Sequence, residues 1–118
     1  MYTVSMDRAE LMKLPQRDVR CFIGTEKMDT PVHSDRITMG LTEVPAQTDM
    51  IPHSHSVEEE LIFIIEGTGA ATIGGVTEEL APFTAAKFPC GIEHQVRNTG
   101  ETPMRFVFMF GPAFSFGR

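Results

Sequence analysis

The chain predicts an all-β fold, a sandwich or closed barrel. Short β-prone segments follow one another at near-regular spacing, turn-forming residues separate them, and helical signal is confined to the first segment.

Taken in order, Ser5 is placed to cap a short helix running to about Lys13, with Asp7 and Glu10 near its first turn, where the helix dipole favours acid. Leu14-Pro15 ends it. Strands are then expected over 20–24, 37–44, 61–67, 70–73, 76–80, 85–88, 94–98 and 104–110. Gly74-Gly75 is a two-residue hairpin signal, and residues 98–103 form a turn-rich connection. In the last strand Met104, Phe106, Phe108 and Phe110 share one face, while Arg105, Val107 and Met109 share the other. This stripe reads as core, although an outward apolar stripe would suit a homodimer interface. No repeat or linker divides the chain, so one domain is expected: a leading part over 1–36, a core over 37–110 and a tail over 111–118. The tail carries Phe114 and Phe116, which either fold over an opening, dock on a partner or stay disordered.

With 118 residues, 42% hydrophobic and 22% charged, the composition is that of an ordinary globular protein. A net charge of −6 and scattered basic residues argue against nucleic acid as a partner. No apolar run is long enough to span a membrane, and no secretory signal opens the sequence, which leads to the expectation of a cytoplasmic protein. Cys21 and Cys90 are expected to stay reduced, with Cys90 a small buried packing residue.

Chemistry concentrates in two stretches, His53-Ser54-His55-Ser56-Val57-Glu58-Glu59-Glu60 and Pro89-Cys90-Gly91-Ile92-Glu93-His94. Residues two apart on a strand stand roughly 6.5 Å apart on the same face. His53 and His55 would therefore point the same way, and two imidazoles so placed can converge on one ion, since each binds zinc at about 2.0–2.1 Å. Glu60, five residues on, needs a turn or bulge through Ser56 to Glu59 to recover that direction. A solitary histidine such as His33 reads as a surface or packing residue, and Glu58 and Glu59 as solvated loop acids.

These two stretches resemble the motifs of the cupin superfamily. The first motif is His-x-His, three or four residues, Glu, six residues, Gly, which His53, His55, Glu60 and Gly67 fit. The second ends Pro-x-Gly, two residues, His, three residues, Asn, which Pro89, Gly91, His94 and Asn98 fit. Its opening glycine falls on Phe83 here, and because positive φ is costly for a bulky residue, Pro82 is expected to shape a different turn. The resemblance covers about residues 37 to 110. It implies a double-stranded β-helix, or jelly roll, with His53, His55, Glu60 and His94 holding one divalent transition metal ion: Fe, Mn, Ni, Co or Zn. It also implies a homodimer, as small members often pair.

Three imidazoles and one carboxylate leave a divalent ion with net positive charge and open coordination positions, the arrangement of a catalytic rather than a structural site. The first reading is an enzyme acting on a small chelating molecule, a carboxylate, enol or diketone. Dioxygenation is favoured within it, because that chemistry asks least of surrounding bases: the sole tyrosine is Tyr2, and Glu43 and Glu66 are the remaining candidates. The second is sugar or uronate isomerisation or lysis, for which Arg20, Arg36 and Arg105 are candidate anion binders, although Ile62, Ile64 and Val96 make the wall dry. The third is a non-catalytic small-molecule-binding protein of the same fold.

Overall fold

Eleven strands form among residues 2–116, which the computed structural model describes: β1 Leu11–Leu14, β2 Arg17–Gly24, β3 Val32–His33, β4 Thr38–Val44, β5 Thr48–Asp49, β6 Glu59–Glu66, β7 Gly69–Ile73, β8 Val76–Leu80, β9 Ala85–Phe88, β10 His94–Asn98 and β11 Met104–Gly111. They build two sheets. The larger has the order β1-β2-β4-β11-β6-β9 with β3 alongside β2, and the smaller has the order β5-β10-β7-β8. All pairings except β2 with β3 are antiparallel.

Period-two alternation decides which residues face the space between the sheets. Along β6, Glu60, Ile62 and Ile64 are buried while Leu61, Phe63 and Ile65 are exposed. Along β10 the buried set is His94, Val96 and Asn98, and along β11 it is Met104, Phe106, Phe108 and Phe110. The apolar side chains among these, with Val19, Val44, Met50 and Phe88, form one apolar cluster. Each fully buried member contributes roughly 1.5–3 kcal/mol.

Asn98 closes one end of this interior. Its amide nitrogen donates to the carbonyls of Val44, Pro45 and Thr102 at 2.9–3.0 Å, and its side-chain oxygen accepts from Gly100 N–H at 3.0 Å. Every polar atom of this buried amide is thus occupied, which ties two loops together. At the end of β6, Gly67 has φ +90, and a Cβ there would sit 2.8 Å from the Met104 backbone.

The expected N-terminal helix is replaced by a single 3-10 turn, Met6–Arg8. Ser5 and Asp7 bond each other through their side chains, and Ser5 makes no capping bond to the turn's backbone. Leu11–Leu14 instead becomes β1, paired with β2 so that Met12 and Leu14 pack on the core. A helix this short is marginal by itself, whereas the hairpin pairs its backbone and buries its apolar side chains. Pro15 and Gln16 make the connection, Gln16 with φ +66, a position usually given to Gly or Asn.

Phe83 overturns a second expectation, since it does adopt left-handed φ, +67. Its N–H donates to Ile64 O at 2.7 Å and Ile64 N–H donates to Thr84 O at 3.0 Å, so the backbone bonds impose the conformation a glycine would adopt freely.

Candidate metal centre

The backbone itself brings two of the histidines face to face. His53 and His94 exchange both amide hydrogen bonds, His53 N–H to His94 O at 3.0 Å and His94 N–H to His53 O at 2.8 Å, as an isolated antiparallel bridge. Directly opposed residues on one face place their side chains together. The Nε2 atoms of the two rings lie 3.1 Å apart.

His55 lies outside any strand, so only His53 of the pair has a strand-like pairing. Gly91, with φ +77, donates its N–H to His55 O at 2.7 Å, and the Cys90 thiol donates to Ser56 O at 3.1 Å. The Pro89–Gly91 turn therefore staples the loop that carries His55. The bend at Ser56 and Val57 then turns the chain into β6 with Glu60 pointing inward.

One donor atom from each of His53, His55, Glu60 and His94 lies within 4.8 Å of the others. Glu60 Oε1 is 3.4 Å from both His55 Nε2 and His94 Nε2. Two ligands about 2.1 Å from one ion, at octahedral or tetrahedral angles, stand ~3.0–3.4 Å apart. The donor set fits a transition ion on that geometry.

Hydrogen bonding points the same way. His53 Nδ1 lies 3.0 Å from Ile51 O, which can only accept, so Nδ1 carries the proton and Nε2 presents its lone pair to the cluster. His55 Nε2 is buried with no hydrogen-bond partner among the described residues. His94 is 2% exposed and stacks on Phe88 with ring centroids 4.1 Å apart. Burial pushes the Glu60 carboxyl up, but the His55 and His94 rings, whose Nε2 atoms stand 3.4 Å from it, outweigh that and leave the group below its ordinary value. Burial also holds His53 below the usual imidazole range, against the opposing pull of the Ile51 carbonyl.

The cluster forms part of the wall of a cavity with about 550 Å³ of empty space, its open mouth included. The rest of the wall is largely aromatic and aliphatic, including Phe88, Phe106, Phe108, Phe110, Val96 and Met50. The tail completes it. Thr38 Oγ1 accepts from Phe114 N–H at 2.7 Å and donates to Phe114 O at 2.8 Å, which sets Phe114 against His55 and Phe116 against Phe108. Phe114 and Phe116 thus pack on the core and line the cavity.

Several candidate residues lie elsewhere. Tyr2 is exposed, and Glu43 is ion-paired to Arg105 at 2.8 Å outside the cavity, where Glu66 pairs in register with Arg105. Arg20 donates to Ala9 O and lines a separate depression with Glu43 and Arg105. Arg36 is exposed, and none of these three arginines reaches the cavity. Cys21 and Cys90 are free thiols. Burial pushes Cys21 up to about 11, while Cys90 is exposed rather than a buried packing residue. The arginine that does line the cavity is Arg17, together with the Thr42 hydroxyl. The sequence expectation ends a helix at Leu14-Pro15 and starts the first strand at residue 20, which leaves Arg17 outside any element. No apolar–polar alternation marks Leu11–Leu14 or Arg17–Arg20, which pair with each other across Pro15-Gln16.

Comparison with known proteins places this geometry in a family. Residues 40–110 match the family model described as cupin domain. Protein SchB of Streptomyces halstedii and Polyketide synthase CurC of Streptomyces cyaneus are each 28% identical over 74 residues, 63% of this chain and 54% and 48% of theirs. The chain thus spans about half the length of these curated relatives. The crystal structure of ectoine synthase from P. lautus superimposes with a TM-score of 0.81 at 18% identity, covering 98% of this chain and 80% of that one, a likeness of fold. With two ordered motifs on the matched segment and the family model spanning most of the two-sheet core, the protein belongs to the cupin domain family.

Proposed function

We propose that the protein is a metal-dependent enzyme in which His53, His55, Glu60 and His94 hold one divalent transition ion, Fe, Mn, Ni, Co or Zn, and that it oxygenates a small chelating carboxylate, enol or diketone. The observation that carries this reading is the convergence of four ligand atoms at the wall of an otherwise apolar cavity. An ion held there would supply Lewis-acid activation of a chelating oxygen and a site for O₂.

The chain's own residues set the conditions. The His53 tautomer is fixed by Ile51 O, Phe88 fixes the plane of His94, and Glu60 supplies the one negative charge of the set. The phenyl walls keep bulk water from the reacting centre. Among the described residues lining the cavity, the titratable groups are the four cluster members and Arg17, so no side chain beside the cluster is suited to act as a general base near neutral pH. That favours oxygenation over isomerisation or elimination. A single arginine, rather than two or more, weighs against the sugar and uronate reading. The relative named Polyketide synthase CurC supports an enol or diketone substrate, since polyketide chains carry carbonyls on alternate carbons.

Oxygen uptake by protein loaded separately with each of the five metals, across a panel of diketones and catechols, tests this. Substrate-dependent uptake with at least one metal is expected, and its loss in His94→Ala. No uptake with any metal would remove the oxygenase reading.

We also propose that a second copy covers the outer face of the larger sheet. Leu61 and Phe63 on β6 lie beside Met109 and Val107 on β11, and the strip is rimmed by the ion pairs Lys87–Glu59 and Arg105–Glu43. An apolar centre with a charged rim is the anatomy of a protein interface. Light scattering should give a dimer mass that Phe63→Glu reduces to that of a monomer. Its two free thiols accord with a reducing compartment, the cytoplasm.

A further inference from the structure

Arg17 is set apart from Arg20, Arg36 and Arg105 by its place on the cavity wall. Arg105 is neutralised by Glu43, and Arg20 is tied to the Ala9 carbonyl. Arg17 leaves the turn at the start of β2 and shares a face with Val19, which places it on the cavity wall. Its one hydrogen bond runs from Nη1 to Pro15 O, at 3.1 Å, within its own turn. Among the described residues no carboxylate lies within ion-pair distance of it. A guanidinium carries five N–H donors in a planar fork, so most of this one is uncommitted.

Leaving a cation half out of water against phenyl rings costs free energy unless an anion meets it. Burial already holds the Arg17 guanidinium below its ordinary pKa, and the Glu60 charge only partly offsets that. If Glu60 is engaged by an ion, that offset is also shared. The cavity wall would then carry positive charge at the cluster and at Arg17 among largely apolar side chains.

We propose that Arg17 is the anion anchor of this cavity, binding the carboxylate of a small, mainly apolar, ring-bearing acid whose other oxygen atoms reach the His53–His55–Glu60–His94 cluster. The proposal rests on the metal-dependent reading above and narrows its substrate class from chelating molecules in general to chelating acids. A carboxylate matches the fork with two parallel N–H···O bonds. A phosphate monoester, with two charges and more acceptors, would be under-served by one guanidinium among phenyl rings. The aromatic walls suit a flat ring.

The test is calorimetric binding to zinc-loaded protein of two probes of similar size, 3,4-dihydroxybenzoate and 4-methylcatechol, which share the chelating diol and differ in the carboxylate. The acid should bind at least about tenfold more tightly, the scale of a charge-assisted pair. Arg17→Gln should abolish that preference while leaving the affinity for 4-methylcatechol unchanged, and Arg17→Lys should keep part of it. Equal binding of the two probes by unaltered protein would overturn the proposal without any variant. So would a preference that survives in Arg17→Gln, because the ion alone would then attract the acid.

A second arm separates this proposal from the metal reading. Metal-free protein is titrated with benzoate and benzyl alcohol. If zinc is never taken up, yet benzoate is preferred and Arg17→Gln removes the preference, the anchor stands and the metal reading falls. If zinc and 4-methylcatechol bind but the carboxylate makes no difference, the metal reading stands and the anchor falls. Failure of both acids to bind at millimolar concentration overturns the anchor in either case.

Discussion

The two polar parts of the cavity wall are built in opposite ways. In one, His53, His55, Glu60 and His94 are set by backbone pairing, a stapled loop and a strand face, and they satisfy one another's charge. In the other, Arg17 is a single cation held by one bond to its own turn. The first part is organised by the fold, whereas the second has an empty hand. A site of the first kind binds through preorganisation, and one of the second gains its stabilisation from what arrives.

One large expected effect falls on the metal cluster alone. Glu60→Gln removes its one negative charge while keeping its shape. Metal affinity should fall by at least about a hundredfold, beyond the loss usual for an outer partner of a ligand. The probe is competition against a chromophoric chelator. Benzoate binding to the metal-free variant should survive, since Arg17 remains; its loss would mean the two parts are not separable.

Phe108→Ala strikes the wall the two parts share. Phe108 is 1% exposed and packs against Phe110 and Phe116, so truncation should cost about 3–5 kcal/mol, read by urea denaturation. A cost below about 1 kcal/mol would show that the wall collapses around the gap and is less rigid than described here.

A smaller effect sharpens the comparison through pH. His53 has a folded pKa below its unfolded one, so the unfolded chain takes up its proton first and stability falls as pH drops below about 6.5. Glu60 is also lowered, so its contribution is present above its unfolded pKa and is lost as pH falls through the folded value. Both act in the same direction. The melting temperature of metal-free protein should fall from pH 7.5 to pH 4, less so in His53→Ala. A flat profile would contradict the charge balance assigned to the cluster.

What could be read in advance divides along the same line. Ile62, Ile64 and Val96 were legible because alternation on a half-buried strand is a local pattern, whereas the sequence alone did not tell which face of β11 turns inward. The grouping of His53, His55, Glu60 and His94 was legible because motif spacing records which residues the fold must bring together. Arg17 was not, because β1 and β2 exist as strands only through pairing with each other and with β4, a non-local fact. Ser5, Asp7 and Glu10 offered a local helical signal, and tertiary pairing overrode it. Gln16 and Phe83 hid two turns by standing where glycine would have announced them. The two-residue strands β3 and β5 carry too few residues to show any period.

The central claim is that the four converging side chains hold one metal ion. Elemental analysis of protein purified without a metal-affinity tag, repeated on His53→Ala and His94→Ala, tests it most directly. The account predicts near-stoichiometric Fe, Mn, Ni, Co or Zn in the unaltered protein and its loss in both variants. No metal in the unaltered protein, with none taken up on titration, would contradict it and leave a metal-free binding barrel.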